Sequence, residues 1–252
     1  MVGIEQFDNP RLQLRYAAAD ARAMAALLAQ RAAPLFEQVN VELRVAPAET
    51  GREPLLAALA RYRNLDPGDA FVLFVASHGV MVDAEADRRE FVLLTSNVGS
   101  LSEAALRSAG IRQSELRAAV AGIPAAKKAM FFDTCHSGAL GEAMAAPLTR
   151  GLEEDTAVKL LSSAVGSTVL SASTSAQQAI EGHEGHGIFT WALLQALSGK
   201  GDAARKGYVS TLDLAAFVEQ EVPRIAEQVY RRKQYPLLHT AGQSFPLVSS
   251  RP

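Results

Sequence analysis

Two short apolar runs interrupt a chain that otherwise alternates between polar and apolar positions. Phe71-Val72-Leu73-Phe74-Val75-Ala76 leads into Ser77-His78-Gly79, and Ala129-Met130-Phe131-Phe132 leads into Asp133-Thr134-Cys135-His136-Ser137-Gly138. Such runs, closed by polar and glycine residues, read as buried strands with their exit loops. Around them the hydrophobic period switches between strand and helix values. Ala17–Ala32 carries a helical pattern through Met24, Leu27 and Leu28. Residues 41–45 alternate as a strand, and residues 54–63 read as a helix with Pro54 in its first turn. A charged loop at 83–90 precedes a strand at 91–94, and a helix follows at 112–121. Residues 167–172 read as a strand, 187–197 as a helix, and 211–231 as a long helix interrupted at Pro223. Only residues 2–4 remain for the first strand, which therefore reads as truncated, as in a domain excised from a longer protein. Strands alternating with helices predict an α/β fold, a mostly parallel central sheet with helices on both faces.

Composition narrows the class. The chain has 252 residues, 48% hydrophobic and 21% charged, which is enough apolar material for a single globular domain spanning 1–252. A net charge of −2 and a pI near 6.2 argue against nucleic acid as a partner. The basic run Arg231-Arg232-Lys233 reads as a solvated helix end. The single cysteine excludes an internal disulfide framework and suits a reducing compartment. No apolar stretch reaches the roughly 18 residues of a membrane span, and no signal peptide is evident, so a cytoplasmic location is expected.

The candidate chemistry lies at the ends of the two apolar runs. His78 and Cys135 each stand at the carboxyl end of a buried strand, the edge of an open α/β sheet where active sites form. A lone cysteine is more often a small buried hydrophobe. Here its neighbours Asp133, Thr134, His136 and Ser137 are polar, and Gly138 follows, so a nucleophile is the better reading. His136 is a poor base for it, because adjacent residues of an extended segment point to opposite sides.

Ser77-His78-Gly79 with Asp133-Thr134-Cys135-His136-Ser137-Gly138 resembles the caspase-like cysteine peptidases, in the metacaspase, orthocaspase and paracaspase branch. The separation, 135 − 78 = 57 residues, matches the His-then-Cys order of caspases. The resemblance extends to Ala18-Ala19-Asp20-Ala21 and to Gly185-His186-Gly187-Ile188-Phe189-Thr190, and covers about residues 3–248. It lacks the Gln-Ala-Cys signature of animal caspases. The resemblance implies a large-subunit-like part near 1–150 and a small-subunit-like part near 156–252. It implies Cys135 as nucleophile, His78 as base, and the N–H groups of Gly79 and Cys135 as oxyanion donors. It also implies an acidic specificity pocket built from Asp20, Asp133 and Glu181, hence protein or peptide substrates cut after Arg, and less well after Lys. Sensor or partner domains are a further implication.

Three other readings stay open at this stage. One is a catalytically idle interaction domain of the same fold, and another is a redox sensor using an exposed thiol. The third is a metal at His183 and His186, which is disfavoured because no second ligand pair is in sight. No cofactor is expected; calcium activates some metacaspases, but no dense aspartate cluster supports it here. The aperiodic segment 139–155 holds Arg150-Gly151, a candidate self-cleavage bond, with Lys159 a weaker one.

Overall fold

The two apolar runs form neighbouring parallel strands. In the computed structural model, which describes residues 1–83, 89–135, 168–172 and 180–251, the strands are β1 (Val2–Gly3), β2 (Ala70–Asp83), β3 (Arg89–Leu93), β4 (Ile111–Arg112), β5 (Lys127–Cys135), β6 (Thr168–Ser171), β7 (Glu181–His183), β8 (His186–Gly187), β9 (Tyr208–Ser210), β10 (Leu237–Thr240) and β11 (Pro246–Ser249). The α-helices are α1 (Ala17–Ala32), α2 (Arg52–Arg61), α3 (Glu103–Ala109), α4 (Gln113–Ala121), α5 (Ile188–Gln195) and α6 (Thr211–Tyr230). The main sheet runs β10-β6-β5-β2-β3-β4, with β1 also on β2. β1, β2, β5 and β6 are mutually parallel and β10 is antiparallel to β6.

Alternation along the strands divides the core between two faces. Leu73, Val75, Met130 and Phe132 pack with Leu55, Leu59, Leu116 and Val120 of α2 and α4. Phe74, Ala129, Phe131 and Leu170 pack with residues of α1, α5 and α6, among them Met24, Phe189, Leu193 and Val218. The small residues of α1 let it lie close to the sheet: a Cβ on Gly3 would meet the Ala17 carbonyl oxygen at 2.2 Å.

Three expectations need correction. The strand carrying His78 does not end there. Residues 70–78 pair with β5, then Gly79–Asp83 turns into an antiparallel ladder with β3, so His78 marks a change of partner. Residues 41–45 form no strand; only Arg44 bridges Val2, because two residues of β1 offer too short an edge to pair with. The long helix α6 runs unbroken through Pro223. Its buried stripe Leu214, Val218, Val222 and Ile225 and its Ser210/Asp213 capping box offset a proline cost of about 3 kcal/mol.

Candidate active site

Parallel register places His78 directly beside Cys135, as Cα partners across β2 and β5. His78 is buried, and its ring packs against Phe7 with centroids 5.4 Å apart. Its Nε2 lies 2.9 Å from the Leu12 carbonyl oxygen. A carbonyl can only accept, so Nε2 carries the hydrogen, and a neutral ring has its lone pair on Nδ1. The imidazole is thereby fixed in one tautomer by a segment that precedes α1. Gly79 answers to packing as well as to access: a Cβ there would meet Phe91 Cε2 at 2.3 Å.

Two residues before Cys135, the side chain of Asp133 is buried on the α1 and α5 side of the sheet. It accepts a hydrogen bond from Thr190 Oγ1 at 2.5 Å. Asp20 belongs to the first turn of α1, where the helix dipole favours an anion, and it too is buried. Its Oδ2 accepts from the Gly187 N–H at 3.3 Å, and its Oδ1 lies 2.6 Å from His186 Nδ1. Asp20 is therefore not a solvated helix residue. Glu181 sits on β7 and is exposed.

These three carboxylates, from α1, β5 and β7, line one narrow pocket together with Ala76, Ser77 and Gly187. The pocket has about 280 Å³ of space between atoms, counted out to its open mouth. Gly187 lets the acids approach each other, since a Cβ there would meet Asp133 Oδ2 at 2.8 Å and Asp20 Oδ2 at 3.5 Å. Burial, then the charge of Asp133, pushes the Asp20 carboxyl up to about 9. Burial also raises Asp133, against the pull of its Thr190 hydrogen bonds, and desolvation followed by the Asp133 charge raises Glu181. Each shift favours the protonated acid, whereas a cation in the pocket would favour the carboxylate.

Sequence reasoning missed the parts that hold this pocket in place. The β7–β8 hairpin turns through Glu184 at φ 51 and Gly185 at φ 85, consecutive positive values that reverse the chain tightly. Gln234, fully buried, accepts from Ile180 N–H with Oε1 at 2.9 Å and donates to the Ala172 carbonyl with Nε2 at 3.0 Å. It thereby anchors the residue just before Glu181. Nothing in the sequence marks Gln234, because both bonds are non-local. His183 Nδ1 lies 3.1 Å from Tyr230 Oη, and His186 serves Asp20, so the two rings go to different partners. Among the described residues no group of three or more His, Cys, Asp or Glu side chains is placed so that it could hold a metal ion, and no helix is long and apolar enough to cross a membrane. His136, Arg150, Lys159 and the whole segment 139–155 lie outside the described residues, and Cys135 is placed here by its backbone.

Comparison with known proteins agrees with this architecture. The crystal structure of a protein from Geobacter sulfurreducens superimposes with a TM-score of 0.62 at 19% identity, covering 100% of this chain and 96% of that one. Caspase-1 from Spodoptera frugiperda superimposes with a TM-score of 0.57 at 15% identity over 96% of this chain and 87% of that one. The precursor pro-sf-caspase-1 gives 0.56 at 14% identity over 96% and 86%. At these identities the likeness is one of fold. No curated protein matches the chain significantly. The caspase-domain family matches residues 1–247, nearly the whole length, and the chain belongs to that family.

Proposed function

We propose that this chain is a cysteine endopeptidase that cuts peptide bonds after Arg, and less well after Lys. Membership of the caspase-domain family supports cysteine peptidase chemistry. The observation that carries the specificity is the convergence of Asp20, Asp133 and Glu181 on one pocket beside His78 and Cys135. Two buried neighbouring acids cost folding energy, and a domain with no cationic ligand would do better without them. That cost weighs against the idle interaction domain, and a thiol sensor leaves it unexplained.

In this reading His78 Nδ1 takes the proton from Cys135 Sγ while Nε2 stays bonded to the Leu12 carbonyl. The thiolate attacks the scissile carbonyl, and the N–H groups of Gly79 and Cys135 receive the oxyanion. Collapse expels the amine, which takes the proton back from His78, and leaves a thioester. Water, deprotonated by the same imidazole, then hydrolyses the thioester. The guanidinium of the substrate lies among the three acids, where its planar donors match carboxylates in pairs. A lysine ammonium offers the charge without that geometry. The partners are proteins or peptides with an accessible Arg, and no step calls for a metal or cofactor.

Fluorogenic peptides ending in Arg, Lys or Asp test the reading. Arg peptides should be cut fastest and Asp peptides not at all. Cys135→Ala should abolish turnover, His78→Ala should nearly abolish it, and His136→Ala should retain most of it. Efficient cleavage after Asp, or a dead His136→Ala beside an active His78→Ala, overturns the assignment.

A further inference from the structure

Asp20 is gripped at both carboxyl oxygens by consecutive residues of β8. The Gly187 N–H holds Oδ2 at 3.3 Å and His186 Nδ1 holds Oδ1 at 2.6 Å. The grip depends on the tight hairpin, whose turn residues Glu184 and Gly185 both have positive φ, as does Gly182 within β7. His186 is the more accessible partner, its side chain 23% exposed against 4% for Asp20. It therefore stands between a buried acid and water.

We propose that His186 is a positioning residue of the basic-side-chain pocket: its Nδ1 holds the Asp20 carboxyl toward the pocket, and its ring carries off the proton that Asp20 releases when a guanidinium enters. The proposal rests on the reading of this pocket as the site for Arg.

One hydrogen lies between Asp20 Oδ1 and His186 Nδ1, whichever atom owns it. In the empty pocket, the neighbouring acids and burial favour Asp20 as the donor, with the imidazole neutral and protonated on Nε2. Desolvation, which lowers His186, acts in the same direction. When a guanidinium enters, the Oδ1–H bond breaks and the Nδ1–H bond forms. The Nε2 proton then leaves to water from the exposed side of the ring. The net result is one proton released, a charged Asp20 and a neutral imidazole donating to it from Nδ1. Among the described residues, the charged and titratable groups around this pair are Asp133 of β5, Glu181 and His183 of β7 and Glu184 of the turn, with Glu5 acting on both Asp20 and Glu181 and Arg15 on Glu181. Apart from Arg15 and His183 these are acids, so a transient imidazolium is not opposed, and an arriving guanidinium reverses the local balance. α5 contributes the uncharged Thr190.

Histidine-selective 15N NMR of the wild-type protein, titrated with argininamide, reads the proton directly. His186 should convert to the Nδ1–H form on saturation, and the conversion should be absent in Asp20→Asn. In peptide assays, His186→Ala should raise KM for an Arg substrate about tenfold with kcat little changed, as expected for loss of a hydrogen bond to a charged group. His186→Asn offers a donor near the Nδ1 position and should largely restore KM. If the ring signal does not change, whether argininamide fails to bind or binds without moving the proton, the proposal is overturned. Equal KM in wild type and His186→Ala also overturns it. A protein that shows the NMR change but cuts no Arg peptide upholds His186 and refutes the peptidase reading. Cleavage after Arg with no NMR change does the reverse.

Discussion

Asp133→Asn separates binding chemistry from folding. Asp133 is buried, bonded to Thr190 Oγ1 at 2.5 Å, and would face a substrate guanidinium across the pocket. Asparagine keeps the shape and keeps an oxygen for Thr190, so the change removes a charge and little else. A unit charge about 4 Å from a cation is worth about 4 kcal/mol at an effective dielectric of about 20. Part of this is spent ionising an acid whose carboxyl burial has raised, and Asp20 and Glu181 remain. The expected loss in kcat/KM for an Arg peptide is therefore about 10²- to 10³-fold, at about 1.4 kcal/mol per decade. Stability should move the other way. The variant no longer buries two like acids side by side, so its Tm near pH 8 should equal or exceed that of the wild type. The assay is steady-state hydrolysis of an Arg fluorogenic peptide, scaled by active sites counted with an Arg-directed electrophile, alongside a thermal melt. A loss smaller than about tenfold would show that the charge does not read the substrate. A lowered Tm would show that Asp133 is structural.

The raised carboxyls make folding pH-dependent in an unusual direction. Asp20 keeps its proton in the folded chain up to about 9, whereas the unfolded chain loses it near 4, so the folded state binds more protons in between. Tm should therefore fall as pH rises through that window, and the double variant Asp20→Asn/Asp133→Asn should flatten the slope; an unchanged slope counts against buried, proton-holding acids. Gly79→Ala pushes a Cβ against Phe91 and should destabilise by about 1–3 kcal/mol, with Phe91→Leu restoring much of the loss in denaturant titrations; an unaffected Gly79→Ala would show that Phe91 yields freely. Self-processing predicts that mass spectrometry finds wild-type fragments meeting at Arg150-Gly151 and an intact Cys135→Ala chain, whereas nicking in both points to another protease.

What the sequence by itself determined was local. The two apolar runs and their polar exits set the α/β class and the setting of Cys135 at a strand end, because strand burial and the period of two are written residue by residue. The boundaries of α1 were legible for the same reason, and Asp133 could be placed on one face of its strand by alternation. Tertiary structure decided the rest. Asp20 sits in the first turn of an alanine-rich helix, where exposed and buried positions look alike, and only docking of α1 beside Gly187 buries it. Pro223 signals a break that packing against α5 and a good cap overrule. The strand period at 41–45 found no edge long enough to pair with. His186 and Gln234 work through bonds to residues 166 and up to 62 positions away in the chain, contacts that no local pattern encodes. The pocket exists because three carboxylates from three distant elements meet there, at an electrostatic cost that only the closed fold imposes.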